Sequence, residues 1–161
     1  SVNKAVRDAL PALLKDFQVV HLCGKDKMDN LLLNTPGYKQ FEYLKAELKD
    51  VFAMADLVIS RAGANAICEL LALGKPNILI PLPSSKSRGD QLLNARSFEA
   101  QGFSMVVDED DLSDTLLVEK VQELYCNRHS YISAMKQSHQ LSAISTIMDL
   151  INDMVKEKDE Q

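Results

Sequence analysis

Two kinds of segment alternate along the chain. Residues 18–23 (QVVHLC), 57–60 (LVIS), 77–82 (NILIPL) and 103–107 (FSMVV) are short runs rich in Val, Ile and Leu, the pattern of strands buried on both faces. Residues 38–43, after the turn signal Thr35-Pro36-Gly37, form a weaker strand candidate. Helical spacing fills the intervals over 2–16, 47–54, 65–73 and 91–101, the last closed by Gly102. Pro11 lies inside the first of these and is expected to kink or divide it. Strand and helix in alternation predict an α/β fold with a parallel sheet. After Asp108 the pattern changes to a helical tail over about 113–156, read as helices at 113–127, 130–138 and 141–156. In the last of these Ile144, Ile147, Met148, Ile151, Met154 and Val155 give one apolar stripe, suited to the core or to a neighbouring domain. The charged end 156–161 is expected to fray.

Composition narrows the picture. A chain of 161 residues suffices for one domain that buries roughly two-thirds of its unfolded surface. No repeat, low-complexity tract or linker divides it, so 1–161 reads as a single domain. The formal charge is −5 and the two signs are interspersed, which argues against an electrostatic nucleic-acid footprint. Cys23, Cys68 and Cys126 are an odd number at wide spacings; this fits neither a disulfide framework nor a zinc site and points to a reducing compartment. No apolar run reaches the length of about 18 residues that a membrane-crossing helix needs. The first residues also lack a basic-then-apolar signal pattern. Attachment to a membrane surface stays open.

Candidate chemistry gathers at two strand-to-helix junctions. In SRAGANAICE, 60–69, a strand end is followed by small residues and a helix start. Gly63 is read as permitting a tight turn and close backbone approach, and the first helical amides have no internal partner. Such a helix start is a ready anion site; from this stretch alone, tight packing of helix on sheet is the favoured explanation of the small residues. Glu69 follows Asn65 by four residues, on the same helix face. It is either a solvated acid or a clamp for two adjacent hydroxyls of a ribose. The second junction, GKPNILIPLPSSKSRGDQLLNA at 74–95, delivers Asp90, Gln91 and Asn94 to another helix start. Asp90 is there either an ordinary N-cap or, with Gln91, an acceptor and amide pair suited to sugar hydroxyls. His21 sits in a buried strand and reads as a satisfied core residue, while His129 and His139 are expected to be exposed.

The succession ADLVISRAGANAICELLALGKPNILIPLP with DQLLNA, spanning 55–95, resembles the donor-binding half of glycosyltransferases built from two Rossmann-like domains. Together with NKAVRDALPALL and FQVVHLCGK it is similar to glycosyltransferase family 28, over nearly the whole chain. The resemblance implies a Rossmann-like three-layer α/β/α domain with a parallel sheet, the C-terminal domain of a GT-B enzyme. It also implies that the family's first strand, its GGSxG loop and the N-terminal acceptor domain are missing here. The implied donor is UDP-N-acetylglucosamine (UDP-GlcNAc), with no cofactor or metal. The implied acceptor is a lipid-linked muramoyl-pentapeptide, converting lipid I to lipid II in peptidoglycan synthesis at the cytoplasmic face of a bacterial plasma membrane. Carried onto this chain, the backbone of Gly63, Ala64, Asn65 and Ala66 faces the diphosphate and Glu69 holds the ribose. Gln91, with Asp90, binds the sugar, Asn94 supports that loop, and the backbone near Leu44 reads the uracil. Arg61 either contacts the donor or forms a structural ion pair. The family often has Gln where this chain has Asp90. No residue here is implied to be catalytic, the base belonging to the absent domain. Two other readings remain: the donor subunit of a two-chain N-acetylglucosaminyltransferase, and a nucleotide-binding α/β domain that transfers nothing.

Overall fold

The computed structural model describes residues 1–138. In chain order the elements are α1 (Val2–Leu13), β1 (Val19–Leu22), β2 (Tyr38–Phe41), α2 (Leu48–Met54), β3 (Val58–Ser60), α3 (Ala64–Leu73), β4 (Asn77–Leu79), α4 (Asp90–Ala100), β5 (Met105–Val106) and α5 (Asp114–Lys136). A short 3-10 turn, Asn30–Leu32, interrupts the β1–β2 connection. Each strand and helix expected from the pattern up to 107 is present, including the weak candidate that became β2.

All strand pairs are parallel, but the expected single sheet is two ladders. β1 pairs with β2, and β3-β4-β5 form a second ladder in that order. No backbone pairing joins β1 to β3 among the described residues. The two ladders nonetheless share one apolar core, in which Val19 and Ile59 pack on the same cluster as Ile78, Ile80, Leu117 and Leu124. Alternation along β4 shows the layering. Ile78 and Ile80 face the side lined by Ala5, Ala9 and Leu13 of α1 and by Leu117 and Val121 of α5. Leu79 faces Ile67, Leu70 and Leu71 of α3 and Ala95 and Phe98 of α4. Both faces of the strand are therefore covered, as the apolar run 77–82 required. This is the three-layer α/β/α arrangement.

Two breaks that the pattern allowed in the helices are absent, for identifiable reasons. Pro11 does not divide α1. It lies in the last turn, where the missing N–H forfeits one bond, and Leu14 N and Phe17 N still bond to Leu10 O and Leu13 O at 2.9 Å each. The tail contains no break near 127–130 either: α5 is one helix of 23 residues. Leu124 and Met135, both fully buried, anchor it on either side of that polar stretch. Asn127 Nδ2 donates to Glu123 O at 2.9 Å, and the Arg128 guanidinium stacks 4.1 Å from the Tyr125 ring centre. Tertiary burial thus overrides weak local propensity. The helix expected at 141–156, its apolar stripe and His139 lie outside the described residues.

Candidate functional site

At the first junction, α3 begins without a side-chain cap and without an acid in its first turn. Ile67 N bonds to Gly63 O at 3.1 Å, so the amides of Ala64, Asn65 and Ala66 precede the first intrahelical bond and are left unspent. Ala64 and Asn65 are exposed and Ala66 is half-buried. The result is an uncapped positive helix end at the carboxyl edge of β3. Gly63 plays a different part from the one its sequence suggested. Its φ is −66° and its ψ 144°, a conformation open to any residue, so the turn does not need glycine. A Cβ built there meets no atom within 4 Å; the space in front of the helix is simply open. Glu69 lies one turn inside the helix, exposed, and makes no hydrogen bond among the described residues.

At the second junction the N-cap of α4 is Gly89, with φ 86° in the left-handed region that favours glycine. Asp90 is therefore the first helical residue and not the cap, and its exposed carboxylate satisfies no helix amide. Gln91 is fixed from behind: its Oε1 accepts from Leu82 N at 3.1 Å. That bond commits the oxygen, and the two Nε2 donors have no partner among the described residues. Asn94 does not brace the 83–89 loop as expected. Its Nδ2 donates to Ala62 O at 3.2 Å, tying the second junction directly to the first. Glu69, the α3 amides, Asp90, Gln91 and Asn94 thus belong to two helix starts that one hydrogen bond links. Leu44 is half-buried in the chain between β2 and α2, and no hydrogen bond joins it to the others.

Arg61 resolves into an ion pair. Its Nη1 donates to Glu109 Oε2 at 2.7 Å and to Ile80 O at 3.1 Å, with Pro81 O at 3.4 Å. Lys86 Nζ lies 3.7 Å from the other carboxylate oxygen of Glu109. The Glu109 side chain is only 9% exposed, and Arg61 beside it holds its carboxyl below the usual carboxylate range. Sequence reasoning missed Glu109 because it lies in the acidic run DEDD at 108–111, which reads as a solvated turn. The available signal was Arg61 itself, a cation in a stretch of small residues that needed an acid. His21, by contrast, is structural as expected. Its Nε2 donates to Asn3 Oδ1 at 3.0 Å and its Nδ1 accepts from the Tyr38 hydroxyl at 2.9 Å. This assignment follows because Asn3 Nδ2 donates to Cys23 O at 2.8 Å. Burial, with the Arg7 charge in addition, pushes the imidazole pKa down to about 4.

Among the described residues no group of His, Cys, Asp or Glu is placed to hold a metal ion, and no helix is long and apolar enough to cross a membrane.

Known proteins share this chain's pattern. The glycosyltransferase family 28 C-terminal domain matches residues 1–152. The UDP-N-acetylglucosamine--N-acetylmuramyl-(pentapeptide) pyrophosphoryl-undecaprenol N-acetylglucosamine transferase of Lachnospira eligens is 59% identical over 155 residues, covering 96% of this chain and 44% of that protein. The protein of the same name from Clostridium perfringens is 51% identical over 150 residues, covering 93% and 42%. The chain therefore spans less than half the length of these relatives. Among solved structures, Acinetobacter baumannii MurG superposes with a TM-score of 0.66 at 23% identity, over 93% of this chain and 46% of that one. The glycotransferase of kitacinnamycin superposes with 0.71 at 20% identity, over 91% and 38%. Both are likenesses of fold.

Proposed function

The chain belongs to the glycosyltransferase family 28 C-terminal domain family, and from that membership we propose that it is the nucleotide-sugar half of an enzyme transferring N-acetylglucosamine from UDP-GlcNAc. The acceptor is a lipid-linked muramoyl-pentapeptide, as the names of the relatives suggest. The enzyme then works at the cytoplasmic face of a bacterial plasma membrane, on the step from lipid I to lipid II. The observation that carries the reading is the pair of helix starts joined by the Asn94–Ala62 bond. One offers uncapped amides with Glu69 a turn away, and the other offers a backbone-fixed carboxamide with free donors.

On this reading the diphosphate lies at the start of α3, against the amides of Ala64, Asn65 and Ala66. Glu69 accepts from both ribose hydroxyls, an arrangement that only a carboxylate within reach of two adjacent donors provides. Gln91 Nε2 donates to sugar oxygens, and exposed Asp90 accepts from a neighbouring hydroxyl. The backbone near Leu44 meets the base. An acceptor hydroxyl attacks the anomeric carbon and gives its proton to a base, the bond to the diphosphate oxygen breaks, and UDP leaves with inversion at that carbon. Negative charge grows on the diphosphate in that step, so fixed amides aimed at it stabilise the transition state more than the bound donor. The domain holds and orients the donor; none of its residues is assigned the base.

Isothermal titration of the chain with UDP-GlcNAc, UDP-glucose and UDP tests the reading. Binding of UDP-GlcNAc that weakens with Glu69→Ala and Gln91→Ala supports it. Equal affinity for UDP-GlcNAc and UDP-glucose, or indifference to Glu69→Ala, overturns it.

A further inference from the structure

Three consecutive strand ends meet at one guanidinium. Arg61 follows directly after β3, bonds to Ile80 O and Pro81 O just beyond β4, and reaches Glu109 two residues past Val107, the residue whose N–H bonds to Leu79 O after β5. Glu109 faces Arg61 from the 60–63 turn and Lys86 from the 83–89 loop, while Asp108 beside it turns away to Arg96 at 2.7 Å. We infer that Glu109 is a positioning residue for the donor site, acting through Arg61 and Lys86 on the two segments that carry the diphosphate turn and the sugar loop. The inference rests on the donor-site reading above.

The physical case is one of unequal bonds. The Arg61–Glu109 contact is short, charge-assisted and largely shielded from water, so losing the carboxylate leaves a half-buried guanidinium with carbonyl partners alone. The Lys86 contact is longer and its lysine is 63% exposed, so it adds little to stability. What it adds is restraint of a loop otherwise held by Lys86 N to Pro83 O at 2.9 Å and by the Ser87 hydroxyl, which contacts Pro83 O at 3.4 Å and accepts from Gly89 N at 3.2 Å. Arg61 Nε and its second terminal nitrogen bond to nothing among the described residues. With Nη1 committed to Glu109, the rest of the fork is held in one orientation.

Glu109→Gln tests this, since the amide fills the same volume without the charge. Hydrogen exchange is read on the unliganded chain, and affinity for UDP-GlcNAc by calorimetry. The expected result is exchange about tenfold faster in 60–63 and 84–90, unchanged exchange in α1 and α5, and a Kd raised about five- to tenfold. Lys86→Met, a surface change, should speed exchange in 84–90 only. If Glu109→Gln matches the wild type in both readouts, or if exchange rises evenly through the whole fold, the inference is overturned. Glu69→Ala run alongside separates the two questions. Unchanged affinity there sinks the donor-site reading, and the exchange pattern still decides the role of Glu109.

Discussion

Two polar clusters in this domain are built in opposite ways. Around His21 the functional groups are spent on one another: ring nitrogens on Asn3 and Tyr38, the Asn3 amide on Cys23 O. At the starts of α3 and α4 the reverse holds. Helix amides, the Glu69 carboxylate and the Gln91 Nε2 donors have no partner among the described residues, although the backbone that presents them is pinned by Leu82 N and Ala62 O. A closed network specifies and rigidifies a fold. Open groups on a braced scaffold are what a ligand needs, because the ordering cost is met before it arrives. The contrast supports the proposed site without appeal to which residue types are chemically versatile; by type alone, the histidine would have been the first choice.

The sharpest way to break the contrast is to open the closed cluster. His21→Ala removes a buried ring that is 7% exposed and takes the partner from the Tyr38 hydroxyl and from Asn3 Oδ1, a loss of about 3 kcal/mol of stability. Denaturant unfolding should show it, with UDP-GlcNAc affinity of the folded variant unchanged. Next in size is the converse experiment. Glu69→Ala removes a charged acceptor with no partner among the described residues, so unfolding should be unaffected. Binding of UDP-GlcNAc should weaken by about 2 kcal/mol, roughly thirtyfold, as for loss of charge-assisted hydrogen bonds.

The pH dependence of stability separates the clusters again. The His21 pKa of about 4 lies below its ordinary 6.5, so between those values the unfolded chain binds more protons than the folded one and stability rises with pH. The contribution is complete above about pH 6.5 and is lost as pH falls toward 4. It is on the order of 2 kcal/mol once screening of the partly hydrated ring is allowed for. Glu109, depressed by Arg61, acts in the same direction but at lower pH, below the usual carboxylate range. Unfolding curves of wild type and His21→Phe should diverge only through the histidine window; parallel curves there would mean that the imidazole is not held neutral.

How much of this was legible in the sequence depended on whether the signal was local. Strand runs such as 77–82 and the helix stop at Gly102 follow from side-chain periodicity and glycine chemistry, and the structure has them. The unbroken α5 was not legible, because Asn127 to Ser130 read as a break and only the burial of Leu124 and Met135 carries the helix through. The division into two ladders was equally hidden, since pairing is a property of strands distant in sequence. At the candidate site, Glu69 and Gln91 could be singled out by their places on the two helices, and their proposed roles only through the family resemblance. The Asn94–Ala62 bond spans 32 residues and the Arg61–Glu109 bond 48, and no local pattern announces either.

The smallest expected effect is also the most discriminating, because it separates two glycines that look alike in sequence. Gly89 caps α4 with φ 86°, so Gly89→Ala forces a side chain into the left-handed region at a cost of about 1 kcal/mol. Gly63 caps α3 with φ −66° and has open space where a Cβ would stand. There alanine lowers the entropy of the unfolded chain but is a slightly poorer N-cap, two terms of a few tenths of a kcal/mol that oppose each other. Thermal unfolding of Gly63→Ala should match the wild type to within about 0.5 kcal/mol. If the diphosphate lies against this turn, the same methyl group intrudes on it, and calorimetry should show weaker binding of UDP and UDP-GlcNAc alike. Unchanged affinity for both would mean that the space before α3 is empty for a reason other than the ligand.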